Sequence, residues 1–484
     1  MPGVLQGAMS AIRVVHEMTH HEPRPPAGYI KNRKTLLSAG NVELRRLALD
    51  IAEAAISCAD PGLAVRRHVS LDGDVLQVGE KTFDLKSGQR IFVVGAGKAT
   101  FSIAKALDQI LGGRIYRGLI TCKYGQHGQL DHIGIHHASH PVPDRASLDA
   151  ATRTVELVRD VRPNDIVIAC FTGGSSALFV SPAEGIRLED KAAINQVLLT
   201  CGANIIEINA VRKHLSKVKG GKLARMLPAG VNLINLTVSD VIGDHLDYIT
   251  DPTVADTSTF GNAQATLDKY ELWSRLPNSV TSFLCNAPAA DETVRPDGLA
   301  HLTRTDIVLV KTDAACAGAA ETARRLNLTP LLLSTCFEGE SSVLGRNLVA
   351  IAKQILINGN PIAHPCVLIG GGETTVTVKG RAGQGGPNQE FAVGAALDLA
   401  DVQGVVALGL DTDGTDGPSE YAGALVDGST FSIARAAGVD LYGALRDHNV
   451  SPALTSTGHA LITGATGTNV NDLKLVVVAP LVHP

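Results

Sequence analysis

Asp411, Asp413 and Asp416 fall within six residues of the stretch GLDTDGTDGP, straight after the apolar run GVVALGL. Like charges this close on a glycine-rich turn could be a metal site, a substrate clamp or a solvated turn. Other turns carry the complementary groups. GAGKA sets Lys98 at a strand-to-helix turn beside Gly95 and Gly97, where backbone N–H groups and an ammonium attract anions. TGGSSAL supplies Thr172, Gly173, Gly174, Ser175 and Ser176 at a helix start, which reads as a phosphate cradle or as a well-capped helix. SDVIGD carries Ser239, Asp240 and Asp244 after a strand. IGGGETTVTVKGRAGQGGPNQEF carries Glu373 and then Asn388 at a helix entry. NAVRKHLSKVKGGKLAR is locally basic, and Val211, Leu215 and Val218 mark its apolar face. Most of its cations therefore belong to a solvated outer face, and Lys213 or Lys217 is the candidate to enter a site. Taken together, acids, cations and glycine loops suit phosphoryl transfer with Mg²⁺, where catalysis is positioning and charge stabilisation.

The elements that must position these groups follow one pattern. Short apolar, β-branched runs end in Gly-, Ser- or Asp-rich turns, and helical patterns follow: RIFVVGAGKATFSIAKALDQIL, DIVIACFTGGSSALF, NLINLTVSDVIGD, DIVLVKTDAACAGAAETARRL and PCVLIGGGETTVTV. Continuous apolar strands are buried on both faces, as in parallel sheets, and ligands bind at their carboxyl ends. The expectation is two α/β domains with largely parallel sheets and an active-site cleft between them. The segment 245–305 breaks the rhythm. It places the boundary so that residues 1–40 form a flexible extension, 41–285 a Rossmann-like domain and 286–484 a second α/β domain.

Several classes are excluded. A net charge of −5 gives no global basic field for nucleic acid. The eight cysteines contain no C-x-x-C pair, which argues against a thiolate zinc site and for a reducing, cytoplasmic setting. No apolar stretch is long enough to span a membrane. Walker A fails at Gly97–Lys98, because Ala99 stands where Ser or Thr is required. The dinucleotide fingerprint fails after Gly95-Ala96-Gly97, which continues Lys98-Ala99-Thr100. GGSSA is not a nucleophile elbow, and the Asp-rich turn is not an EF-hand.

In order along the chain, VVGAGKA, HPVPD, TGGSSAL, VRKHLSKVKGG, SDVIGD, DPTVAD, GGGETTVTVKG and LDTDGTDGP resemble the class II glycerate 2-kinases, whose C-terminal part is the MOFRL domain. The resemblance covers about residues 41 to 480. It implies ATP- and Mg²⁺-dependent phosphorylation of D-glycerate to 2-phosphoglycerate by a two-domain protein, with a homodimer as the candidate assembly. It carries the family's lysine to Lys98, its acidic turn to Asp240 and Asp244, its glycine–acid motif to Glu373 and its Asp-rich turn to Asp411, Asp413 and Asp416. One departure stands out: GGPNQE puts Pro387 where the family has an arginine. Arg381, six residues earlier, is then the candidate to supply that charge. Two other readings remain, a hydroxypyruvate reductase using NAD(P)H and a catalytically inactive sugar-acid or nucleotide sensor.

Overall fold

The computed structural model describes residues 28–480 apart from residues 242, 244, 250, 379, 381 and 382. A small antiparallel sheet comes first: β1 (Val69–Asp72), β2 (Val75–Val78) and β3 (Lys81–Asp84). The first large sheet contains β4 (Ile91–Ala96), β5 (Ile115–Lys123), β6 (Gly134–Ala138), β7 (Ile166–Phe171), β8 (Asn232–Val238) and β9 (Thr303–Val310). Their spatial order is β6-β5-β4-β7-β8-β9, and every pairing is parallel. β4 and β7 are buried at every position. This is why they read as unbroken apolar runs. From β4 the chain first builds outward through β5 and β6, then returns to place β7 on the opposite side of β4. The order therefore reverses between β4 and β7, and the crevice beyond their carboxyl ends is the switch point where such sheets bind ligands.

The second large sheet contains β10 (Thr329–Phe337), β11 (Cys366–Gly372), β12 (Val405–Asp411), β13 (Gly423–Asp427), β14 (Ala460–Leu461) and β15 (Asp472–Val478), in the order β10-β11-β15-β12-β13-β14. The expected α/β architecture holds, with one refinement: this sheet is mixed. Only β10 and β11 run parallel, because β15 inserts antiparallel between β11 and β12. The dividing point also moves. β9 completes the first sheet, so the two sheets divide the chain after Val310 rather than at residue 285.

The helices explain a second shift. α1 (Val42–Cys58) opens with Asn41, whose side chain accepts from the Leu44 N–H. α2 (Thr100–Leu111) follows β4, and α3 (Ile205–His214) lies between β7 and β8. α4 (Thr312–Arg325) follows β9, and α5 (Ser341–Asn358) packs on α6 (Pro387–Asp398). Although α1 comes before the first sheet in sequence, it packs on α4, β12 and β15 of the second unit. Residues 28–40, expected to be flexible, are folded there as well. Ile30 and Leu36 are buried, the Ile30 N–H donates to Glu53 Oε1, and the Lys31 N–H donates to the Ile462 carbonyl. The remainder of that extension, residues 1–27, lies outside the described residues.

A buried ion pair fixes α1 to this unit. Arg45 Nε lies 2.7 Å from Asp427 Oδ2, and the same carboxylate accepts from the Asn41 N–H at 2.8 Å. Burial alone would raise the Asp427 pKa, but Arg45, Ser429 and the Asn41 N–H hold it down at about 2. A folded-state pKa below the ordinary 3.8 stabilises the fold at higher pH, and that stabilisation is lost as pH falls from 3.8 toward about 2. Arg45→Met leaves the carboxylate buried without its partner, and should lower the unfolding free energy in urea at pH 7 by about 3–5 kcal/mol. An unchanged denaturation midpoint would mean that the pair holds nothing.

Candidate active site

Two loops meet at the switch point. The β4 loop carries Gly97 and Lys98, and the β7 loop carries Thr172 to Ser176. The Lys98 N–H donates to the Gly173 carbonyl at 2.8 Å, and the Ala99 N–H to Thr172 Oγ1 at 3.3 Å. Gly97 sits at φ +144, and a Cβ there would lie 2.1 Å from Thr172 Oγ1, so the loops interlock only with glycine at this position. Gly95, within β4, backs onto Cys170. Ser175 opens a helix of only four residues, Ser175–Leu178. The expected cradle is therefore a tight loop rather than the mouth of a long helix. Ser176 Oγ accepts from Lys219 Nζ at 3.0 Å, and Lys219 pairs with Asp251 at 2.9 Å.

The second unit supplies the carboxylates. β12 ends at Asp411, and Thr412 anchors the turn through its hydroxyl, which donates to the Asn471 carbonyl at 2.7 Å. Asp413 Oδ1 accepts from the Thr415 N–H at 2.7 Å and from its hydroxyl at 2.6 Å, a local Asx turn. That turn aims Oδ2 across the cleft, where it stands 2.6 Å from Lys98 Nζ. Burial opposes the Lys98 ammonium, yet Asp413, Asp411 and Asp240 outweigh it and hold its pKa above the ordinary lysine value. Asp413 is the reciprocal case. Its burial favours protonation, and Lys98 overrides this and keeps it ionised. Among the described residues Asp411 has no such partner, and burial beside Asp413 and Asp472 pushes its carboxyl well up.

Asp240 follows β8 and faces the same cleft. Asn469 Nδ2 donates to its Oδ2 at 2.8 Å, and a Cβ on Gly173 would come within 1.7 Å of that oxygen. Burial raises the Asp240 pKa to about 6 against the pull of Lys98. Glu373 stands just past β11, reached by solvent but enclosed by the cleft walls. That enclosure, with Asp240 and Asp472, raises its carboxyl to about 7. Lys98, Asp240, Glu373, Asp411 and Asp413 thus form one electrostatically coupled group drawn from both units.

Other expected residues lie elsewhere or act differently. Asp416 is buried, and its two oxygens accept from the N–H and side-chain amide of both Asn388 and Gln389 at 2.8 to 3.1 Å. It caps α6, whose first residue is Pro387, and its lone pairs are engaged there. Asn388 bridges Asp416 to Asp472 inside the second unit, with Nδ2 2.6 Å from Asp472 Oδ1. Ser239 is buried and hydrogen-bonds locally with Val241. Lys213, expected at the site, is buried on α3 between Asp256 at 2.9 Å and Asp247 at 3.2 Å, with Tyr248 beneath its ammonium. It lines a separate cavity of about 340 Å³ that shares no lining residue with the Lys98 group. Lys217 is exposed and pairs with Glu184. Asp244 and Arg381 lie outside the described residues. Among the described residues no three His, Cys, Asp or Glu side chains form a ready-made metal site.

Sequence reasoning passed over four participants. His140, within HPVPD, lies against Gly174 and Lys98. Burial and the charges of Lys98 and Lys123 lower its pKa to about 4, so it is neutral at pH 7. Asn469 holds Asp240. Asp472 and Lys474 form a buried ion pair at 3.2 Å in β15. The signal for that pair was present in NDLKLVVV, since a lysine inside an otherwise apolar strand needs a buried partner.

Comparison with known proteins identifies the family. Residues 47–285 match the family described as Domain of unknown function (DUF4147), and residues 366–472 match the MOFRL family. A protein from Pyrococcus horikoshii named glycerate 2-kinase is 39% identical over 90% of this chain and 98% of its own length. The crystal structure of a glycerate kinase from Thermotoga maritima superposes with a TM-score of 0.75 at 36% identity, covering 90% of this chain and 100% of that one. A relative from Agrobacterium vitis, 36% identical over 93% of this chain and 98% of its own length, carries a provisional hydroxypyruvate reductase name. With both family matches in order and such identity across most of its length, the chain belongs to the class II glycerate 2-kinase family.

Proposed function

We propose that this chain phosphorylates D-glycerate on its 2-hydroxyl, with ATP as donor. The observation that carries the reading is the Lys98–Asp413 pair spanning the cleft at 2.6 Å beside Asp240. It brings a cation, an ionised carboxylate and a carboxylate with a near-neutral pKa to one place at a sheet switch point. Lys98 neutralises charge developing on the transferring phosphoryl group. The β7 loop, held tight by its glycines, presents backbone N–H groups to phosphate oxygens. Asp240, held by Asn469, accepts the proton of the attacking hydroxyl. A pKa of about 6 keeps it mostly ionised at pH 7 and basic enough for that task.

The residues present fit Mg²⁺. Asp411 and Asp413 are hard oxygen donors crowded with too little positive charge, as the raised Asp411 pKa records. Mg²⁺ typically takes one or two carboxylates and completes its shell with water and phosphate oxygens, so no protein cage is required. Bound there, it would neutralise phosphate charge. The reductase reading needs a nicotinamide site, and the failed fingerprint after Gly95-Ala96-Gly97 counts against one.

Phosphorus NMR of a reaction with ATP, Mg²⁺ and D-glycerate should show 2-phosphoglycerate. Consumption of NADH by hydroxypyruvate without such a product would replace this reading with the reductase one. Lys98→Ala should lower kcat by about 10²-fold or more, the scale of losing one preorganised charge, and should also lower the melting temperature, because it leaves buried Asp413 without its cation. A folded, fully active Lys98→Ala protein would remove the lysine from the mechanism. The two aspartates of the turn should separate. Asp413→Asn should raise the Mg²⁺ concentration for half-maximal rate. Asp416→Asn should leave that titration alone and lower stability by about 1–2 kcal/mol through the weakened α6 cap. Identical metal titrations for wild type and Asp413→Asn would assign the whole turn to structure.

A further inference from the structure

We infer that Lys123 is an anion-binding residue of this same site, holding the carboxylate of the acceptor or a phosphate of the donor. The inference rests on the kinase reading and extends it to a residue that neither the motifs nor the loops at the switch point include. It begins from charge. Asp240, Asp411, Asp413 and Glu373 crowd the cleft with carboxyl groups, while both reactants are themselves anions. Lys98 is engaged by Asp413, and Lys474 is buried against Asn388 and Asp472. Pro387 adds no charge at the head of α6. A site of this composition needs a further cation that is not already held by a carboxylate.

Lys123 meets that need by position. It is the last residue of β5, whose carboxyl end lies beside that of β4. Ala96 is level with Thr121 across the β4–β5 ladder, so Lys98 and Lys123 each stand two residues beyond the same rung. On its other side Lys123 pairs in register with Ala138, two residues before His140. Lys98, Lys123 and His140 therefore leave three adjacent strands at one edge of the sheet. Among the described residues the half-buried Lys123 side chain makes no hydrogen bond or ion pair, unlike Lys98, Lys213, Lys217 and Lys219. Its charge nonetheless reaches the cleft, where it acts on His140 and lowers that imidazole's pKa. A solvated lysine at a distant strand end would not. His140, kept neutral at pH 7, adds no further positive charge beside the two lysines and offers a hydrogen bond to the same anion.

The test uses Lys123→Ala, Lys123→Arg and the wild type, with initial rates measured separately against D-glycerate and against MgATP. Loss of a charge-assisted hydrogen bond should raise one KM about tenfold or more at unchanged melting temperature, and Lys123→Arg should recover most of that loss. A raised KM for D-glycerate identifies the carboxylate as the bound group, and a raised KM for ATP identifies the phosphate. The affected KM should also lose its dependence on salt in Lys123→Ala. Both KM values within about twofold of wild type would overturn the inference. Lys123→Gln replaces the alanine variant if that one does not fold. A wild type without kinase turnover would overturn the functional reading instead. Calorimetric binding of ATP and of D-glycerate to wild type and Lys123→Ala would then decide the Lys123 question alone: affinity about tenfold weaker supports it, and equal affinities sink it.

Discussion

The site depends on one constraint: carboxylates gathered on one side of a cleft require positive charge from the other. Asp411, Asp413 and Asp472 belong to the second unit, and Asp411 lies directly opposite Asp472 on the β12–β15 ladder. Like charges in that arrangement repel. The first unit answers with Lys98, and the resulting pair joins the two sheets where their loops meet. Neither half is electrostatically complete alone. This locates the chemistry between the units, which share one continuous apolar cluster while each also has a smaller core of its own. It also separates two kinds of buried lysine in the chain. Lys474 and Lys213 have their charge compensated within one unit, whereas the Lys98 pair crosses between units and so depends on how the units are set.

The second unit manages its remaining acids internally. Asp472 accepts from Asn388, from the Thr374 N–H and hydroxyl, and from Lys474. Asp416 takes four donors from the first turn of α6. This network ties β11, β12, β15 and α6 into a rigid platform. The Asx turn at Asp413 rests on that platform, so Oδ2 is aimed by backbone geometry rather than by a mobile side chain. The division of labour within one short motif follows: Asp416 holds the platform, Asp413 faces the first unit, and Asp411, beside Asp413 and Asp472, has a raised pKa.

Much of this was legible in the sequence where the pattern was local. The apolar runs ending in glycine-rich turns gave β4, β7, β8, β11 and β12, and the loops after β4, β7, β8 and β12 do converge. Interactions between residues distant in sequence were not legible. β15 reads as an apolar strand like the others, and nothing local says that it enters the sheet antiparallel. α1 and residues 28–40 precede the first domain in sequence, yet their apolar faces find partners in the second. Lys213 and Asp416 show the limit at the level of single residues. Both sit in motifs rich in chemistry, and only their neighbours reveal that one is compensated by two aspartates and the other caps a helix. Composition gives the type of a side chain, whereas its role depends on what lies opposite.

The path of the chain adds a mechanical consequence. Its described part lies first on the second unit with residues 28–58, passes into the first before β1, and returns between β9 and α4. The two units are thus joined by two covalent crossings and by the ion pair. One apolar cluster also runs from β4, β7 and β8 through α1 and α4 to β11, β12 and β15, so packing fixes the two halves of the site relative to each other. Asp240 follows β8, next to the strand that leads into the second crossing, and is gripped by Asn469 from the other side of the cleft. Shifting one unit against the other would separate Lys98 from Asp413 and Asp240 from Asn469 together. The proposed proton acceptor and the proposed phosphate-binding lysine thus share one dependence: both are in working order only while the packing between the units holds.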